Sequence, residues 1–141
     1  MQPSNKTAVT VEATIKAPVA KVWKFWNEPA HITQWCAASD DWHAPRAEAD
    51  LRPGGKFSTT MAAKDGSFSF DFGGEFTKVA ENEQLEYTMG DGRQVAISFI
   101  TQGDETKVVE TFETEDMNPV DMQREGWQAI LNNFKKYTEA N

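Results

Sequence analysis

The hydrophobic and polar positions of the chain follow first the period of a strand and then that of a helix. From Thr7 to Ile15, apolar residues occupy every second position, which is typical of a strand with one buried face. Ala17-Pro18 ends this strand, and proline is well suited to a helix start. Apolar residues then recur at helical spacing until Pro29 interrupts them. The pattern predicts two short helices, near residues 19–27 and 29–35.

The middle of the chain alternates strand-like runs with clusters of turn residues. Residues 36–47 are polar apart from Trp42 and are expected to form a loop. Beyond them, turns such as Pro53-Gly54-Gly55 and Asp91-Gly92 separate runs that are rich in strand-forming residues. Turns this short join antiparallel neighbours. The predicted strands are 47–52, 56–63, 68–79, 84–89, 94–101 and 106–114.

The last part of the chain has the pattern of one long amphipathic helix. Asn118 can act as the N-cap, Pro119 suits the first helical position, and Asp121 complements the helix dipole. The helix is expected to end near Glu139. Its interior glycine, Gly126, costs about 1 kcal/mol relative to alanine and marks a bend, a close backbone approach or no structural role. The apolar stripe consists of Val120, Trp127, Ile130, Leu131, Phe134 and Tyr137.

This order of elements predicts a single α+β domain over residues 1–141. No linker, repeat or low-complexity segment interrupts the strand, the two short helices, the six further strands and the long helix. An antiparallel sheet of six to seven strands and an amphipathic helix each have an apolar face to bury. We therefore expect the long helix to pack across the sheet.

Composition and charge exclude several classes of function. The 22 acidic residues outnumber the 14 basic residues and give a net charge of -8, which repels nucleic-acid backbones and anionic lipid. No apolar run approaches the roughly 18 residues that span a bilayer. Neither nucleic acid nor membrane is therefore an expected partner.

Cysteine usage indicates a reducing compartment. Cys36 is the only cysteine, which excludes an intrachain disulfide and a multi-cysteine zinc site. Residues 1–6 lack the apolar segment of a secretory signal. Both observations favour a cytoplasmic protein.

Four stretches of the sequence, taken in order, resemble a known family. They are Ala17-Pro18-Val19-Ala20-Lys21-Val22-Trp23 with Asn27-Glu28-Pro29 and Trp35, Ala49-Asp50-Leu51-Arg52-Pro53-Gly54-Gly55-Lys56-Phe57, Gly74-Glu75-Phe76 with Glu83-Gln84-Leu85-Glu86-Tyr87-Thr88, and Glu125-Gly126-Trp127 with Leu131. The ordered set, from about residue 8 to residue 138, resembles the domain family named for the activator of Hsp90 ATPase, within the START/Bet v 1-like superfamily.

The resemblance implies a helix-grip fold, in which a curved antiparallel sheet wraps the C-terminal helix and leaves a cavity between them. It does not imply one function. Relatives bind lipids or hydrophobic small molecules, act as polyketide cyclases or aromatase-like enzymes, or serve as co-chaperones. The eukaryotic co-chaperone also has a separate N-terminal domain that carries much of its chaperone contact, and 141 residues leave no room for it. The family name is therefore not transferred as a function.

Strand alternation predicts an aromatic face opposite the long helix. If Phe57, Thr59 and Met61 point inward, the same phase continues through the next three strands unless a bulge occurs at Gly73-Gly74. An apolar cavity with a few polar groups is the usual form of a ligand site, and the alternative is that these side chains fill the core. The candidate ligand contacts are Trp35, Trp42, Met61, Phe70, Phe72, Tyr87, Met89, Phe99, Glu110, Trp127 and Leu131.

Glu110 is the one carboxylate that alternation places on this inward face. A buried carboxylate without a partner has a raised pKa and can serve as an acid, a base or a polar anchor for a ligand. The alternatives are a phase error of one residue, an edge-strand position that reaches solvent, or a structural hydrogen bond to Tyr87 or Trp127.

Four of the five tryptophans fall between residues 23 and 42. Trp23 is expected to seal the first helix against the sheet. Trp35 and Trp42 flank the loop over the expected cavity mouth and are candidates for contact with a ligand or a partner. Cys36 is reactive if exposed and inert if buried.

Metal, phosphate and nucleophile motifs give little support for other chemistry. His31 and His43 lack the close spacing of zinc ligands and are expected to be exposed. The glycine-rich segment Arg52–Lys56 lacks the spacing of a phosphate-binding loop, so a hairpin turn is expected. Neither a metal nor a cofactor is predicted, and no catalytic residue is assigned.

Three functions remain from the sequence. The first is a binding module for a hydrophobic or aromatic small molecule. The second is an interaction protein that modulates a chaperone ATPase through the acidic residues Glu113, Glu115, Asp116 and Asp121. The third is a cyclase-type enzyme in which Glu110 or Tyr87 handles a proton.

Overall fold

The structure, a computed structural model, describes residues 7–37 and 39–141. Residues 1–6, to which the expectation about a secretory signal refers, lie outside the described residues. The described elements in chain order are β1 Ala8–Ile15, α1 Val19–Asn27, α2 Pro29–Trp35, β2 Trp42–Ala49, β3 Lys56–Ala63, β4 Ser69–Ala80, β5 Gln84–Met89, β6 Gln94–Gln102, β7 Glu105–Glu113 and α3 Val120–Ala140.

The strands form one antiparallel sheet in the order β1-β7-β6-β5-β4-β3-β2. Strands β2 to β7 follow one another as hairpins, and β1 pairs with β7 at the far side of the meander. The sheet curls into a half-barrel around α3. The predicted α+β helix-grip fold is therefore confirmed, with seven strands.

The inner face of the sheet follows the predicted alternation. Along β7, every second residue from Thr106 to Phe112 is buried. Phe57 pairs with Gly74 in continuous register, so the bulge considered at Gly73-Gly74 is absent, and a register shift lies instead between Phe76 and Lys78. Because the phase is preserved up to Phe76, the aromatic side chains of β3 and β4 stay on one face.

Helix α3 protects an edge of the sheet as well as covering its inner face. Gln128 donates a hydrogen bond to the carbonyl oxygen of Glu12, and Lys135 donates one to the carbonyl oxygen of Thr14. Both acceptors belong to β1, the strand at one edge. Side chains on α3 thus satisfy backbone groups that would otherwise be open to pairing with another chain.

Helix α1 also packs against the inner face of the sheet. The ring of Trp23 packs edge-on against Phe99 with 5.1 Å between ring centroids, and Trp23 is 6% exposed. This contact confirms the predicted sealing role.

Strand β2 differs from its prediction. It runs from Trp42 to Ala49 rather than from residue 47 to residue 52. The polar composition of residues 36–47 predicted a loop, but from Trp42 onward the segment pairs with β3, and the register shift between His43 and Arg46 accommodates Pro45 within an edge strand. The aromatic side chain of Trp42 therefore stands on a strand and not in a loop.

The start of α3 is also different. Pro119 is the N-cap residue and its side chain makes no capping bond, so Asn118 is not the cap. Gln123 organises this turn instead, because its amide nitrogen donates to the carbonyl oxygens of Glu115 and Asn118. Its side-chain oxygen accepts a hydrogen bond from the backbone nitrogen of Glu115.

Gly74 is required by close packing of the backbone. A Cβ atom placed there would lie 2.3 Å from the carbonyl oxygen of Thr88, closer than any real contact. We expect Gly74→Ala to lower the free energy of unfolding by about 2 kcal/mol, measured by urea denaturation. Gly90→Ala is the control, since a Cβ atom at Gly90 would meet nothing within 4 Å. Equal stability of the two variants would contradict this explanation.

Candidate functional site

A cavity of about 510 Å³ lies between the concave face of the sheet and α3. Its sheet wall comes from β2, β3, β4, β5 and β7, and its other wall comes from α1, α2 and α3. The lining is mostly aromatic and aliphatic. The predicted contact residues that line it are Trp35, Trp42, Met61, Phe70, Phe72, Tyr87, Met89, Glu110 and Trp127.

Two predicted contact residues lie outside this lining. Phe99 is covered by Trp23 and by Trp26, whose ring centroid is 6.1 Å away. Leu131 is fully buried in the core. At Phe99, the tryptophans of α1 occupy the space that separates this part of the sheet from the cavity.

Several lining residues were not predicted as contacts. Trp26 and Ile32 come from the short helices, which the prediction treated as packing elements. Met122 and Gln123 belong to the first turns of α3, where the expected apolar stripe began with Val120 and then continued at Trp127. Arg93 follows the Asp91-Gly92 turn, and only the assembled fold brings it to the cavity wall.

The cavity opens between β4 and the first turns of α3. Phe70 and Met122 both line it and are 42% and 57% exposed. Trp42 packs edge-on against Phe68 and Phe70, with centroid distances of 6.1 and 6.0 Å. An apolar rim of this kind can contact a hydrophobic molecule as it enters.

Trp35, expected beside Trp42 at the mouth, lies deeper. It is 5% exposed, and its indole nitrogen donates to the carbonyl oxygen of Phe25 at 2.9 Å. Its ring packs against Trp26 and Phe134. Trp35 therefore forms part of the inner wall, and Trp42 alone of the pair stands at the rim.

Glu110 faces the cavity from the interior of the sheet. It pairs with Val11 on one side and Ile97 on the other, so it is not on an edge strand. It is 5% exposed, and among the described residues no side chain or backbone group makes a hydrogen bond or ion pair with its carboxyl. The proposed phase error, edge position and bonds to Tyr87 or Trp127 are all excluded. Burial raises the pKa of Glu110 to about 8, so the carboxyl is largely protonated at neutral pH.

Tyr87 faces the same cavity from β5. Its ring is held edge-on by Phe57, with 4.7 Å between centroids, and by Phe72 and Phe76. It is 6% exposed, and its hydroxyl has no hydrogen-bond partner within the described ranges. Burial, followed by the nearby charge of Glu110, raises the pKa of Tyr87 well above its ordinary value. The hydroxyl is therefore a permanent hydrogen-bond donor.

Cys36 and Arg93 complete the ionisable part of the lining. Burial, with a smaller contribution from Glu110, raises the pKa of the Cys36 thiol to about 12. The thiol stays protonated and is a poor nucleophile. The Nε atom of Arg93 donates to a carboxylate oxygen of Asp91 at 2.7 Å, so this cation already has an anionic partner.

The two histidines are not alike. His43 is exposed, as expected. His31 is half-buried and was wrongly expected at the surface, since its ring stacks on Phe25 at 3.9 Å and its Nδ1 atom lies 2.8 Å from the hydroxyl of Tyr137. Within residues 7–37 and 39–141, no three His, Cys, Asp or Glu side chains are grouped to hold a metal ion.

The acidic residues near α3 have partners inside the molecule. The carboxylate of Glu113 accepts a hydrogen bond from the backbone nitrogen of Gln94. Glu115 accepts bonds from the backbone nitrogens of Met117 and Asn118. The bonds of Glu115 therefore support the turn before α3, and the bond of Glu113 joins β7 to the start of β6.

The segment Arg52–Lys56 links β2 to β3 as the expected turn. Gly54 has a φ of 85°, which glycine adopts without strain. The backbone nitrogen of Gly55 donates to the carbonyl oxygen of Arg52 at 2.8 Å. None of the helices in the described part of the chain is both long enough and apolar enough to cross a bilayer.

A curled antiparallel sheet that grips a C-terminal helix over an apolar cavity defines a helix-grip domain. The family model described as "Activator of Hsp90 ATPase homolog 1-like protein" matches residues 16–139. The chain belongs to this family, which sits in the START/Bet v 1-like superfamily.

Solved structures agree with this assignment. The solution structure of the AHSA1-like protein from Aeromonas hydrophila is 45% identical in sequence, with a TM-score of 0.89 over 95% of this chain and 93% of that one. Chr148 from Cytophaga hutchinsonii is 59% identical, with a TM-score of 0.81 over 98% of this chain and 94% of that one. NE0264 from Nitrosomonas europaea, at 19% identity and a TM-score of 0.80 over 94% of each chain, shares the fold. No curated protein matches the chain significantly.

Proposed function

We propose that this protein is a small-molecule binding module that holds a hydrophobic or aromatic ligand in the cavity between the sheet and α3. The observation that carries the proposal is the cavity of about 510 Å³ with its largely apolar wall. Small-molecule sites commonly enclose about 300–1,000 Å³. Protein interiors pack as densely as organic crystals, so a space of this size within the domain calls for an occupant.

Gly126 contributes to keeping the space open. It lines the cavity on α3, and a Cβ atom built there would meet nothing within 4 Å. The close approach considered for this glycine is therefore absent. An interior helical glycine lowers helix stability by about 1 kcal/mol relative to alanine, and the space beside Trp127 is what its presence provides.

The proposed ligand is uncharged over most of its surface and is the main partner. The net charge of -8 supports neither nucleic acid nor an anionic membrane as an alternative partner. The absence of cysteines other than Cys36 supports a cytoplasmic location.

Thermal unfolding against a panel of fatty acids, sterols, flavonoids and polyketide-like aromatics tests the proposal. A ligand at about 100 times its Kd adds roughly 2.7 kcal/mol to the free energy of unfolding, and several degrees to Tm. We expect such a shift for at least one class in the wild type. Gly126→Leu places a side chain in the open space, so it is expected to abolish the shift while keeping the fold.

Glu125→Leu is the matched control, because Glu125 is the exposed neighbour of Gly126 on α3. This variant is expected to keep the ligand-dependent shift. The proposal fails if no class raises Tm, or if Gly126→Leu responds to ligand as the wild type does.

A cyclase-type enzyme is the second candidate, favoured by one observation. The pKa of Glu110, about 8, lies close to neutral pH, where proton transfer by a carboxyl group is most effective. Modulation of a chaperone ATPase rests on the family description alone, and the intramolecular bonds of Glu113 and Glu115 give it no added support.

A further inference from the structure

Some polar side chains in the cavity wall have a hydrogen-bond partner within the described residues, and others, among them Glu110, Tyr87 and Thr59, have none. Asn27 donates to the carbonyl oxygen of Trp23, Gln123 makes three hydrogen bonds, and Arg93 is paired with Asp91. The carboxyl of Glu110 and the hydroxyl of Tyr87 have no such bond among the described residues.

Glu110 and Tyr87 approach the cavity from neighbouring parts of one concave surface. Strand β6 lies between their strands, and its residues Ile97 and Val95 pair with Glu110 and Tyr87 respectively. The inward curl of the sheet turns both side chains towards the same space. Both line the cavity, and an ionised Glu110 raises the pKa of Tyr87, which places the two groups at one polar region of a largely apolar cavity.

Both groups are hydrogen-bond donors at neutral pH. Burial keeps the carboxyl of Glu110 protonated up to a pKa of about 8 and the hydroxyl of Tyr87 protonated well beyond its usual range. A buried donor without an acceptor loses the hydrogen bond it had in water. A ligand that brings an acceptor oxygen to this region restores both bonds.

Resting on the proposed function, we propose that the cavity selects a neutral aromatic or conjugated ketone, whose carbonyl oxygen accepts hydrogen bonds from Tyr87 and Glu110. A carbonyl oxygen has two lone pairs and can accept from both donors. The flat body of such a molecule fits a wall that contains the rings of Phe57, Phe72 and Trp127.

The same wall disfavours charged ligands. A carboxylate ligand would find no unpaired cation, since the one lining arginine, Arg93, is bonded to Asp91. An ammonium ligand lacks an acceptor for the two donors and loses its hydration on burial. A hydrocarbon leaves both donors without partners.

Four probes of one shape test this inference by isothermal titration calorimetry at pH 6.5. They are 2-acetonaphthone, 2-ethylnaphthalene, 2-naphthoate and 2-(aminomethyl)naphthalene. We expect the ketone to bind about 10-fold more tightly than 2-ethylnaphthalene, as two restored hydrogen bonds predict, and the two ions to bind more weakly than either. A ketone that binds no better than 2-ethylnaphthalene, or an ion that binds best, overturns the inference.

Variants identify the donors. Tyr87→Phe is expected to lower the affinity for the ketone by about 3- to 10-fold and to leave the affinity for 2-ethylnaphthalene unchanged. In Glu110→Gln the side-chain amide keeps a hydrogen-bond donor but cannot ionise. At pH 6.5 this variant should therefore bind the ketone nearly as tightly as the wild type does. The other titratable groups facing Glu110 from the packed elements are Cys36, Tyr87 and Arg93.

The pH dependence gives the sharpest contrast. The wild type is expected to lose ketone affinity as the pH rises past about 8, whereas Glu110→Gln should keep it. Loss of ketone affinity in both proteins would overturn the role of Glu110.

If 2-ethylnaphthalene and the ketone bind equally and Gly126→Leu abolishes the binding of both, the cavity is a binding site but this inference is wrong. If no probe binds, the inference and its basis both fail.

Discussion

Replacing Glu110 by glutamine is expected to stabilise the protein by about 3 kcal/mol at pH 7. The pKa of the folded state, about 8, lies above the ordinary value of 4.5. As the pH rises, the unfolded chain therefore releases this proton first, and unfolding becomes easier. Stability should fall between about pH 4.5 and pH 8 and level off above that range. In Glu110→Gln this slope should be absent.

Urea denaturation between pH 5 and pH 9 measures this effect, with Glu75→Gln as the control. Glu75 is an exposed carboxylate on β4, and its removal should change stability by less than about 0.5 kcal/mol. Asp65 and Glu139 also have clearly shifted pKa values, but theirs are lowered, so their titration affects stability only at lower pH. If the free energy of unfolding depends on pH in the same way in the wild type and in Glu110→Gln, Glu110 is not a buried carboxyl without a partner.

Replacing Trp127 by alanine is expected to cost about 3 kcal/mol of folding stability. Its ring stacks on Phe112 with 4.1 Å between centroids and an angle of 6°, and it packs edge-on against Phe72 at 5.9 Å. These contacts join α3 to β7 and β4. The variant should therefore show a lower midpoint of urea denaturation with little change in the slope of the transition.

Trp42→Ala provides the matched comparison for this variant. It removes the same side chain from the rim, where the neighbouring rings of Phe68 and Phe70 are themselves exposed. The expected loss is about 1 kcal/mol or less. A larger loss of stability for Trp42→Ala than for Trp127→Ala would contradict our assignment of Trp127 to the cavity wall and Trp42 to its rim.

Glu110 illustrates how much of the site a sequence pattern can supply. A side-chain period of two identified its inward direction because Val108 and Phe112 define the buried phase of the same strand. The pattern left open whether a partner would meet the carboxyl. Only the assembled fold shows Glu110 between β1 and β6, with no hydrogen-bond partner among the described residues.

The distance between the sheet and the helices that pack on it cannot be predicted from the periodicity of the sequence. Phe99 has the inward phase, yet it lies outside the lining because Trp23 and Trp26 of α1 pack in front of that part of the sheet. Phase gives the direction of a side chain. Whether a cavity or a tryptophan stands opposite depends on how distant helices pack.

Local chemistry misled the prediction in two further places. The polar composition of residues 36–47 predicted a loop, although an edge strand with a register shift accommodates the part from Trp42 onward, including Pro45. Asn118 has the side chain of a good N-cap, but it makes no capping bond, and the buried Gln123 organises this turn through bonds to the backbone of Glu115 and Asn118. Strand pairing at β2 and the bonds of Gln123 at α3 thus replaced the local preference of a residue.

Proton NMR of side chains during a titration with 2-acetonaphthone tests most directly whether the cavity is a ligand site. The cavity wall contains Met61 and Trp127, while Trp23 lies in the core outside the lining. We predict saturable shifts for the methyl signal of Met61 and the indole N–H signal of Trp127, with the Trp23 indole signal unchanged. Signals of Met61 and Trp127 that stay in place throughout the titration would contradict the assignment of this cavity as the binding site.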